Sequence, residues 1–517
     1  MANRPSKEHQ ALGDDLAIAS LITHLLSTNG LPPTDAPEWI WSVDHPYVHG
    51  IFAPVDSERS ETALTVEGEL PSDLQGCYVV NSPNQRFQPP GRYHYYDGDG
   101  MLHALHFDNG RARYTRRWVR TFAFNEEDKA GKAIWPGLAG AFNPDLPGGP
   151  IKDNSNTDII YYAGRLLSLW YLAGIPYRID PETLETIGPE DFGGGLPRKL
   201  SAHSKVDPAT GELIFFDYGN DPFFTYGVAN AQGQLAHQVR VELPGPRSPH
   251  DIGVTTNYSI LHDLPMFQDA EILRRHNKRV VRFHRDVPAR FGVIPRFGQA
   301  DQVRWFEAKP CYLLHIVNAF EDGDWVVMDG CRQDNPITEP DPADGALAKM
   351  LAFRRRVHAL YRWRFNLRTG EVREHTIDDL NTEFPRINPL RLGRPSRYAY
   401  HQYLPLPAAM DGKEGRCQTF NALIKYDTET GAYQRYNYGN GVFGNETPFA
   451  PKLGASPTDP EDDGYLVTFT TDQADWSSQC LVFDAKDIAP GPIARVKIPC
   501  RIPLGFHANW FNHTNRA

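Results

Sequence analysis

The sequence predicts an all-β chain folded as a β-propeller of about seven blades. After about residue 60, short β-rich segments separated by polar turns dominate, and few long helical patterns occur. The turns resemble one another, because each places Asp or Asn with Thr or Gly between two strand-like runs, as hairpins do. They are FDNGRARY from Phe107, IDPETLET from Ile179, VDPATGEL from Val206, NLRTGEVR from Asn366 and YDTETGAY from Tyr426. So many hairpins must hide their edge strands, and radial repetition of blades of roughly 60 to 70 residues does so.

The domain organisation follows from the two ends of this pattern. Apolar residues recur at helical spacing from Leu12 to Leu26 and stop before Asn29-Gly30, which predicts an N-terminal amphipathic helix and linker over 1–37. Its apolar face either packs on the outside of the domain or contacts a membrane surface. No Gly/Ser-rich linker divides 38–517, so we expect a single propeller domain there; a pair of β-sandwiches is the alternative.

Composition excludes several classes of protein. With 517 residues, 40% hydrophobic and 12% aromatic, the chain can bury a large core and is neither disordered nor fibrous. A net charge of -11 argues against nucleic acid as a partner. The six cysteines form no C-x-x-C, Asp14 and Asp15 interrupt any signal-peptide pattern, and no run of about 18 apolar residues occurs. We therefore expect a cytoplasmic protein, with at most a peripheral contact to a membrane.

Histidine is the residue type that could carry chemistry here. The P-loop, the zinc-protease motif and the G-x-S-x-G nucleophile motif are all missing from the sequence. Of nineteen histidines, four lie in strand-like or tightly turned apolar contexts, 47, 65 and 192 residues apart: His203, His250, His315 and His507. A single histidine of this kind is usually a core residue, but a propeller brings its inner strands to one axis. Four imidazoles there would form a site for Fe, Zn or Cu.

Two further patterns bear on this metal hypothesis. His284 and Asp286 offer an H-x-D pair, but eight basic residues between Arg274 and Arg296 mark that stretch as a solvated loop or an anion-binding surface. Metal-bound histidines usually donate their other N–H to a carboxylate or a carbonyl. Glu383 in NTEFPRINP and Glu446 in GNETPFAP lie in apolar or Gly/Pro-rich surroundings and are candidates for this supporting role; surface turns are the alternative.

The chain from about Leu64 to Trp510 resembles the carotenoid cleavage oxygenases, which include lignostilbene dioxygenases and the retinoid isomerase of the eye. The matching segments are ELPSDLQGCYVVNSPN, YDGDGMLHALHF, RYTRRWVRT, NTDIIYYAGRLLSL, SAHSKVDPATGE, the segments around His250 and His315, EFPRINPLRLGRPSRYAY, NETPFAPK, EDDGYLV and LGFHANW. Eleven matches in the same order are far more specific than any one motif.

The resemblance implies a seven-bladed propeller with a helical or loop cap over one face and a non-haem Fe(2+) on its axis. It assigns His203, His250, His315 and His507 as iron ligands, and Glu383 and Glu446 as the acids behind them. It implies oxidative cleavage of a conjugated C=C bond by O2 to two carbonyl products, in an apolar tunnel that takes a lipophilic or aromatic alkene. It also implies peripheral docking on membranes.

Two departures from the family pattern concern an acid near the predicted metal site and the substrate. A third glutamate usually follows the LLSL-type strand, but here the chain reads Trp170-Tyr171 with no acid. Stilbene-cleaving members engage the substrate phenol with a Tyr and a Lys, and the matching positions fall near Leu138 and Trp170. We take Tyr95, Leu138, Trp170 and Tyr171 as candidate pocket residues. Without that lysine, an apocarotenoid-like polyene is favoured over a stilbene or phenylpropene such as isoeugenol.

Three functional classes remain open at this point. The first is an iron-dependent dioxygenase. The second is an isomerase or hydrolase on the same scaffold, which would bind iron but yield a product without incorporating O2. The third is a propeller that lost its metal and only binds a partner, a reading that the missing glutamate supports.

Overall fold

The computed structural model describes residues 35–512, except for 44, 92, 139, 141–142, 197–198, 219–222, 269–270, 272–273, 276–279, 343–344, 346–347 and 406–418. The helix predicted from Leu12 to Leu26 lies outside the described residues. Of the segment 1–37, only residues 35–37 are described. Its membrane contact therefore stays a prediction. No helix in the described part of the chain is long and apolar enough to cross a membrane.

Seven antiparallel sheets form the blades of a propeller, as the sequence predicts. Blade 1 contains β1 (Arg59–Glu61), β3 (Gly76–Asn84), β4 (Asp99–Asp108), β5 (Arg111–Trp118) and β33 (Ala508–Asn512). Blade 2 contains β6 (Asp158–Tyr162), β7 (Arg165–Leu169), β8 (Tyr177–Ile179) and β9 (Thr186–Pro189). Blade 3 contains β10 (Lys205–Val206), β11 (Leu213–Tyr218), β12 (Phe223–Ala229) and β13 (Leu235–Glu242).

The remaining blades follow in chain order. Blade 4 contains β14 (Gly253–Val254), β15 (Tyr258–Asp263), β18 (Ala289–Pro295) and β19 (Arg304–Ala308), with a separate hairpin of β16 (Met266–Gln268) and β17 (Val281–Phe283). Blade 5 contains β20 (Tyr312–Asp322), β21 (Trp325–Gln333), β22 (Ala359–Asn366) and β23 (Val372–Asp378). Blade 6 contains β24 (Thr382–Arg386), β25 (Tyr398–Tyr403), β26 (Ala422–Asp427) and β27 (Tyr433–Asn437). Blade 7 contains β2 (Thr65–Gly68), β28 (Val442–Gly444), β29 (Phe449–Pro451), β30 (Gly464–Asp472), β31 (Ser478–Asp484) and β32 (Ala494–Ile498).

Both ends of the described chain close the ring. β33 pairs with β3 from Gly76 opposite Asn512 to Val80 opposite Ala508, so the last strand becomes the innermost strand of blade 1. β2 in turn adds to the outer edge of blade 7 through β32. This exchange joins the first and last blades by backbone hydrogen bonds and leaves no open edge between them.

The core of the ring lies between neighbouring blades. β3 is buried along its whole length, whereas the outer strand β27 alternates exposed and half-buried residues. A buried apolar cluster fills each of the seven interfaces between neighbouring blades. The cluster between blades 1 and 2 contains Leu102 and Leu166. The cluster between blades 7 and 1 contains Leu105 and Val467. The hydrophobic area in these interfaces is what holds the blades together.

The cap consists mainly of loops and single 3₁₀ turns. Three such turns, at Glu38–Ser42, Pro46–Val48 and Gly50–Phe52, pack in one apolar cluster with residues of several blades, including Phe420 and Phe506. The longest helix in the described residues is α1 (Phe122–Ala130), which Thr121 caps by accepting a hydrogen bond from Phe124 N. A second helix, α2 (Ala348–Leu351), is one turn long. The predicted helical or loop cap is therefore mostly loop.

Candidate metal centre and its cavity

The four predicted histidines meet on the axis of the propeller. His203 lies just before β10, His250 just before β14, His315 in β20 and His507 just before β33, so four different blades each contribute one imidazole. One nitrogen from each ring lies within 4.8 Å of the others, and five ring-to-ring centroid distances fall between 4.5 and 5.1 Å. No other group of three or more possible ligands was found in the described part of the chain. His284, the alternative ligand, stacks on Phe267 instead.

Local backbone geometry orients two of these rings, those of His203 and His315, toward the axis. His203 has a φ of +65°, in the left-handed region that non-glycine residues rarely adopt. The register of β20 against β21 shifts between Leu313 and Ile316, so a bulge carries His315 toward the axis. Phe384, whose ring lies against His315 and His507, also has a positive φ of +53°. Strained backbone of this kind concentrates at functional sites.

Glu383 orients His315. Its Oε2 accepts a hydrogen bond from His315 Nδ1 at 2.6 Å and another from Phe384 N at 2.6 Å. Burial alone would lower the pKa of His315, but the charge and the hydrogen bond of Glu383 outweigh it and raise that pKa. Burial alone would raise the pKa of the Glu383 carboxyl, but His315, together with His358 and the Phe384 N–H, lowers that pKa. The pair turns Nε2 of His315 toward the other three histidines.

Glu446 supports His507 from blade 7. Both carboxylate oxygens lie 3.3 Å from His507 Nδ1, and Oε2 also accepts from Ala508 N and, at 2.7 Å, from Arg386. Burial would raise the pKa of Glu446, yet Arg386 and His507 bring it down to about 2. Glu446 is therefore ionised and held on three sides.

Blade 2 brings an aromatic ring, not an acid, to the axis. Tyr171 is the second residue after β7, and its ring centroid lies 6.2 Å from that of His250. No carboxylate hydrogen-bonds to His250 among the described contacts. A buried ion pair lies beside it instead: Lys205 Nζ is 2.7 Å from Asp251 Oδ1, and Asp251 Oδ2 accepts from Ile316 N at 2.9 Å.

The chemistry of the donors fits a transition-metal ion. The Nε2 atoms of His203 and His315 are buried without a hydrogen-bond partner among the described protein groups. Burial and repulsion between the rings lower the pKa of His203 and His250 well below the usual value, so both rings are neutral and offer a lone pair at neutral pH. A ligand set made of imidazoles alone, with no carboxylate or thiolate among the ligand atoms, suits Fe, Zn or Cu and does not suit Mg or Ca.

An aromatic cavity opens onto this centre from the side of the cap. Its walls include His250, His315 and His507 together with Tyr47, Phe52, Tyr95, Tyr96, Thr157, Tyr171, Leu314, Arg356, His358, Glu383, Phe384, Leu404, Phe420, Leu504, Gly505 and Phe506. Of the predicted pocket residues, Tyr95 and Tyr171 thus line the cavity. Leu138 and Trp170 do not: Leu138 N donates to Asp97, and Trp170 is buried in a bridge to Ser201 between blades 2 and 3.

A second, more polar cavity reaches the histidines from another direction. It is lined by His203, His315 and His507 and by charged side chains that include Lys205, Asp251, Arg386 and Glu446. Sequence reasoning did not select Lys205, Asp251 or Arg386. Their positions in the sequence could have identified them. Lys205 and Asp251 lie within two residues after a predicted ligand, and Arg386 lies three residues after Glu383.

The fold and the site define a class of protein: a seven-bladed propeller with a histidine-only centre on its axis and an apolar cavity above it. The family model of the retinal pigment epithelial membrane protein (RPE65) matches residues 52–512. A carotenoid 9,10(9',10')-cleavage dioxygenase 1 of Pisum sativum is 34% identical, with 90% of each chain covered. The crystal structure of Pseudomonas brassicacearum lignostilbene dioxygenase superposes with a TM-score of 0.79 at 28% identity, covering 91% of this chain and 99% of that one. A variant of Synechocystis apocarotenoid oxygenase gives a TM-score of 0.77 at 28% identity, covering 89% of this chain and 97% of that one.

The chain therefore belongs to the carotenoid cleavage oxygenase family, as its sequence motifs indicated. It is an enzyme of the oxygenase class, of the carotenoid and stilbene cleavage type.

Proposed function

We propose that the chain binds Fe(2+) through His203, His250, His315 and His507 and uses O2 to cleave a conjugated C=C bond of an apocarotenoid-like polyene into two carbonyl products. One observation carries the proposal: four imidazoles converge within 4.8 Å at the inner end of a cavity walled by aromatic rings. A reactive metal centre and a slot for a flat apolar substrate thus lie side by side.

The bound iron would supply the redox chemistry that allows O2 to react with an alkene. The protein groups do the rest. Glu383 and Glu446 fix the ring orientation and the tautomer of His315 and His507, so that Nε2 of each faces the metal position. Four neutral donors leave a metal of up to six positions with room for further ligands.

The walls of the cavity would hold the substrate. The edge-to-face stack of Tyr95 and Phe506, with ring centroids 4.6 Å apart, and the contact of Tyr96 with Tyr171 at 5.2 Å present rigid flat surfaces to a planar conjugated chain. These rings also exclude water from the reacting bond. Binding energy along the chain of the substrate would place one double bond beside the histidines.

Cleavage of a stilbene or a phenylpropene such as isoeugenol is the second candidate. The structural similarity to lignostilbene dioxygenase favours it. The composition of the cavity favours the polyene, because its walls are mostly aromatic and apolar and the lysine of stilbene-cleaving relatives is not found among the described lining residues.

Metal content combined with a substrate panel tests the proposal. Protein purified without chelators should contain about one iron per chain. We expect it to consume O2 and form aldehydes from a retinal-type apocarotenoid, and to act more weakly on a hydroxystilbene and on isoeugenol. Aldehydes from the aromatic substrates alone would favour the second candidate.

Two other outcomes would contradict the proposal in different ways. A rearranged product formed without O2 uptake would identify an isomerase that shares the scaffold. Failure to bind iron even after anaerobic loading with Fe(2+) would identify a propeller that only binds a partner.

A further inference from the structure

Two polar residues stand out in the otherwise aromatic wall of the cavity. Arg356 and His358 lie in the short segment between the 3₁₀ turn Ala352–Arg355 and β22, and both line the cavity. Val357 between them is not among the lining residues and is 48% exposed. The two polar groups therefore share the side of this segment that is turned toward the substrate space.

His358 presents a hydrogen-bond acceptor to this space. Asn381 Oδ1 accepts from His358 N at 2.8 Å and lies 3.0 Å from His358 Nδ1, while the Asn381 amide donates to Leu404 O. This network fixes the proton on Nδ1. Burial lowers the pKa of His358, so Nε2 carries a lone pair. The residue is only 2% exposed, and Nε2 has no hydrogen-bond partner among the described protein groups.

Arg356 brings a donor to the same wall. Its Nε donates to Pro336 O at 2.9 Å, which fixes the plane of the guanidinium group. It is the only Arg or Lys among the described residues that line the cavity. Although burial lowers its pKa, a guanidinium stays charged in proteins. It lines the same cavity as His250, one of the candidate metal ligands.

We propose that Arg356 and His358 form a subsite for a hydroxyl group on the conjugated substrate. The hydroxyl hydrogen donates to His358 Nε2, and the hydroxyl oxygen accepts from the Arg356 guanidinium. The inference rests on the proposed function, since it names the end group of the alkene that the cavity would hold.

Other polar groups fit this pair less well. A carboxylate would bind Arg356 but bring its lone pairs against the lone pair of His358. A carbonyl or an ether would leave His358 Nε2 buried and unpaired, which is costly. An ammonium group would be repelled by the positive charge of Arg356. Only a group that both donates and accepts satisfies the two residues together.

Equilibrium binding under anaerobic conditions tests the subsite without turnover. Two ligand pairs are measured by quenching of tryptophan fluorescence: 4-hydroxystilbene against 4-methoxystilbene, and a ring-hydroxylated apocarotenal against the same compound without the hydroxyl. The first pair reports on a phenolic hydroxyl and the second on an aliphatic one. We expect the hydroxylated member of at least one pair to bind about 10 to 100 times more tightly. Equal affinity within both pairs would overturn the proposal.

Three variants assign any preference to the named residues. His358→Phe and Arg356→Met should each reduce the ratio of the two affinities within the pair that shows the preference to about threefold or less. His401→Phe is the matched control, because His401 is fully buried, has an unpartnered Nε2 and is not among the cavity-lining residues. Full preference in both His358→Phe and Arg356→Met would exclude the subsite. Measuring both covers the case in which one variant fails to fold.

Failure of the subsite and failure of the proposed function give different results. An enzyme that cleaves alkenes but binds hydroxylated and plain ligands equally retains its function and loses the subsite. A protein with the hydroxyl preference but no iron and no O2 uptake retains the subsite and loses the function.

Discussion

Lys205 Nζ lies 2.7 Å from Asp251 Oδ1, and this pair joins blades 3 and 4 directly behind two of the candidate ligands. Lys205 follows His203 by two residues, and Asp251 follows His250 by one. Because Asp251 Oδ2 also accepts from the backbone of Ile316, next to His315, a single carboxylate ties together the chain segments of three histidines. The pair thus fixes the spacing of the metal centre as well as that of the blades.

Replacing Lys205 by Met should destabilise the protein by about 3 kcal/mol, because it leaves the Asp251 charge buried and unpaired. Urea unfolding of the metal-free protein measures this. The double variant Lys205→Met/Asp251→Asn, which removes both charges, should recover more than half of the loss. Additive losses in the double variant would show that the two residues do not act as a pair.

Substituting His250 or His507 by Ala should abolish stoichiometric iron binding and alkene cleavage, since each removes one of the four donors. The control is His262→Ala: His262 is buried but packs against Phe291, away from the cluster. It should keep its iron, as measured by metal analysis after anaerobic loading. Equal iron content in all three variants would refute the ligand assignment.

Acid should destabilise the metal-free protein in part through Glu446. The pKa of this carboxyl is lowered to about 2 in the folded protein, from an ordinary value near 4.5. Its stabilising contribution, on the order of 3 kcal/mol, is therefore present above about pH 4.5 and is lost as the pH falls toward 2. Urea unfolding between pH 3 and 7 should show a shallower pH dependence for Glu446→Gln than for the parent protein. Identical slopes would contradict the prediction.

Placing an acid beside His250 should strengthen iron binding. Tyr171→Glu puts a carboxylate where blade 2 now has a phenol, and an acid behind a ligand histidine typically changes metal affinity by about 10-fold or more. The rate of iron loss to a chelator measures this, and Tyr171→Gln controls for the loss of the ring. If Tyr171→Glu loses iron as fast as Tyr171→Gln, a carboxylate at this position does not support His250 and the prediction is wrong.

The sequence was most informative where one chemical pattern repeats. The recurrent polar turns predicted a propeller of about seven blades, and the structure has seven blades. The four histidines were visible because each lies in an apolar or tightly turned segment, and a propeller can bring such segments to one axis. The structure places all four there.

Interactions that depend on three-dimensional spacing could not be predicted in the same way. Arg386 looks like any basic residue of a loop, yet it donates to Glu446 of another blade. Trp170 was chosen as a pocket residue because it matches a phenol-binding position of stilbene-cleaving relatives. In the structure Trp170 instead bridges to blade 3, and the next residue, Tyr171, reaches the cavity. A one-residue shift reverses the direction of a side chain, and sequence alone does not fix it.

Closure of the ring by β33 also sets an order of events during synthesis. His507 immediately precedes this strand and follows the other three histidines in the chain, so a growing polypeptide presents only three imidazoles until its last blade strand emerges. The fourth donor arrives together with the pairing of β33 and β3. Full coordination of a metal is thereby coupled to completion of the fold, and an unfinished or unclosed chain holds an incomplete site.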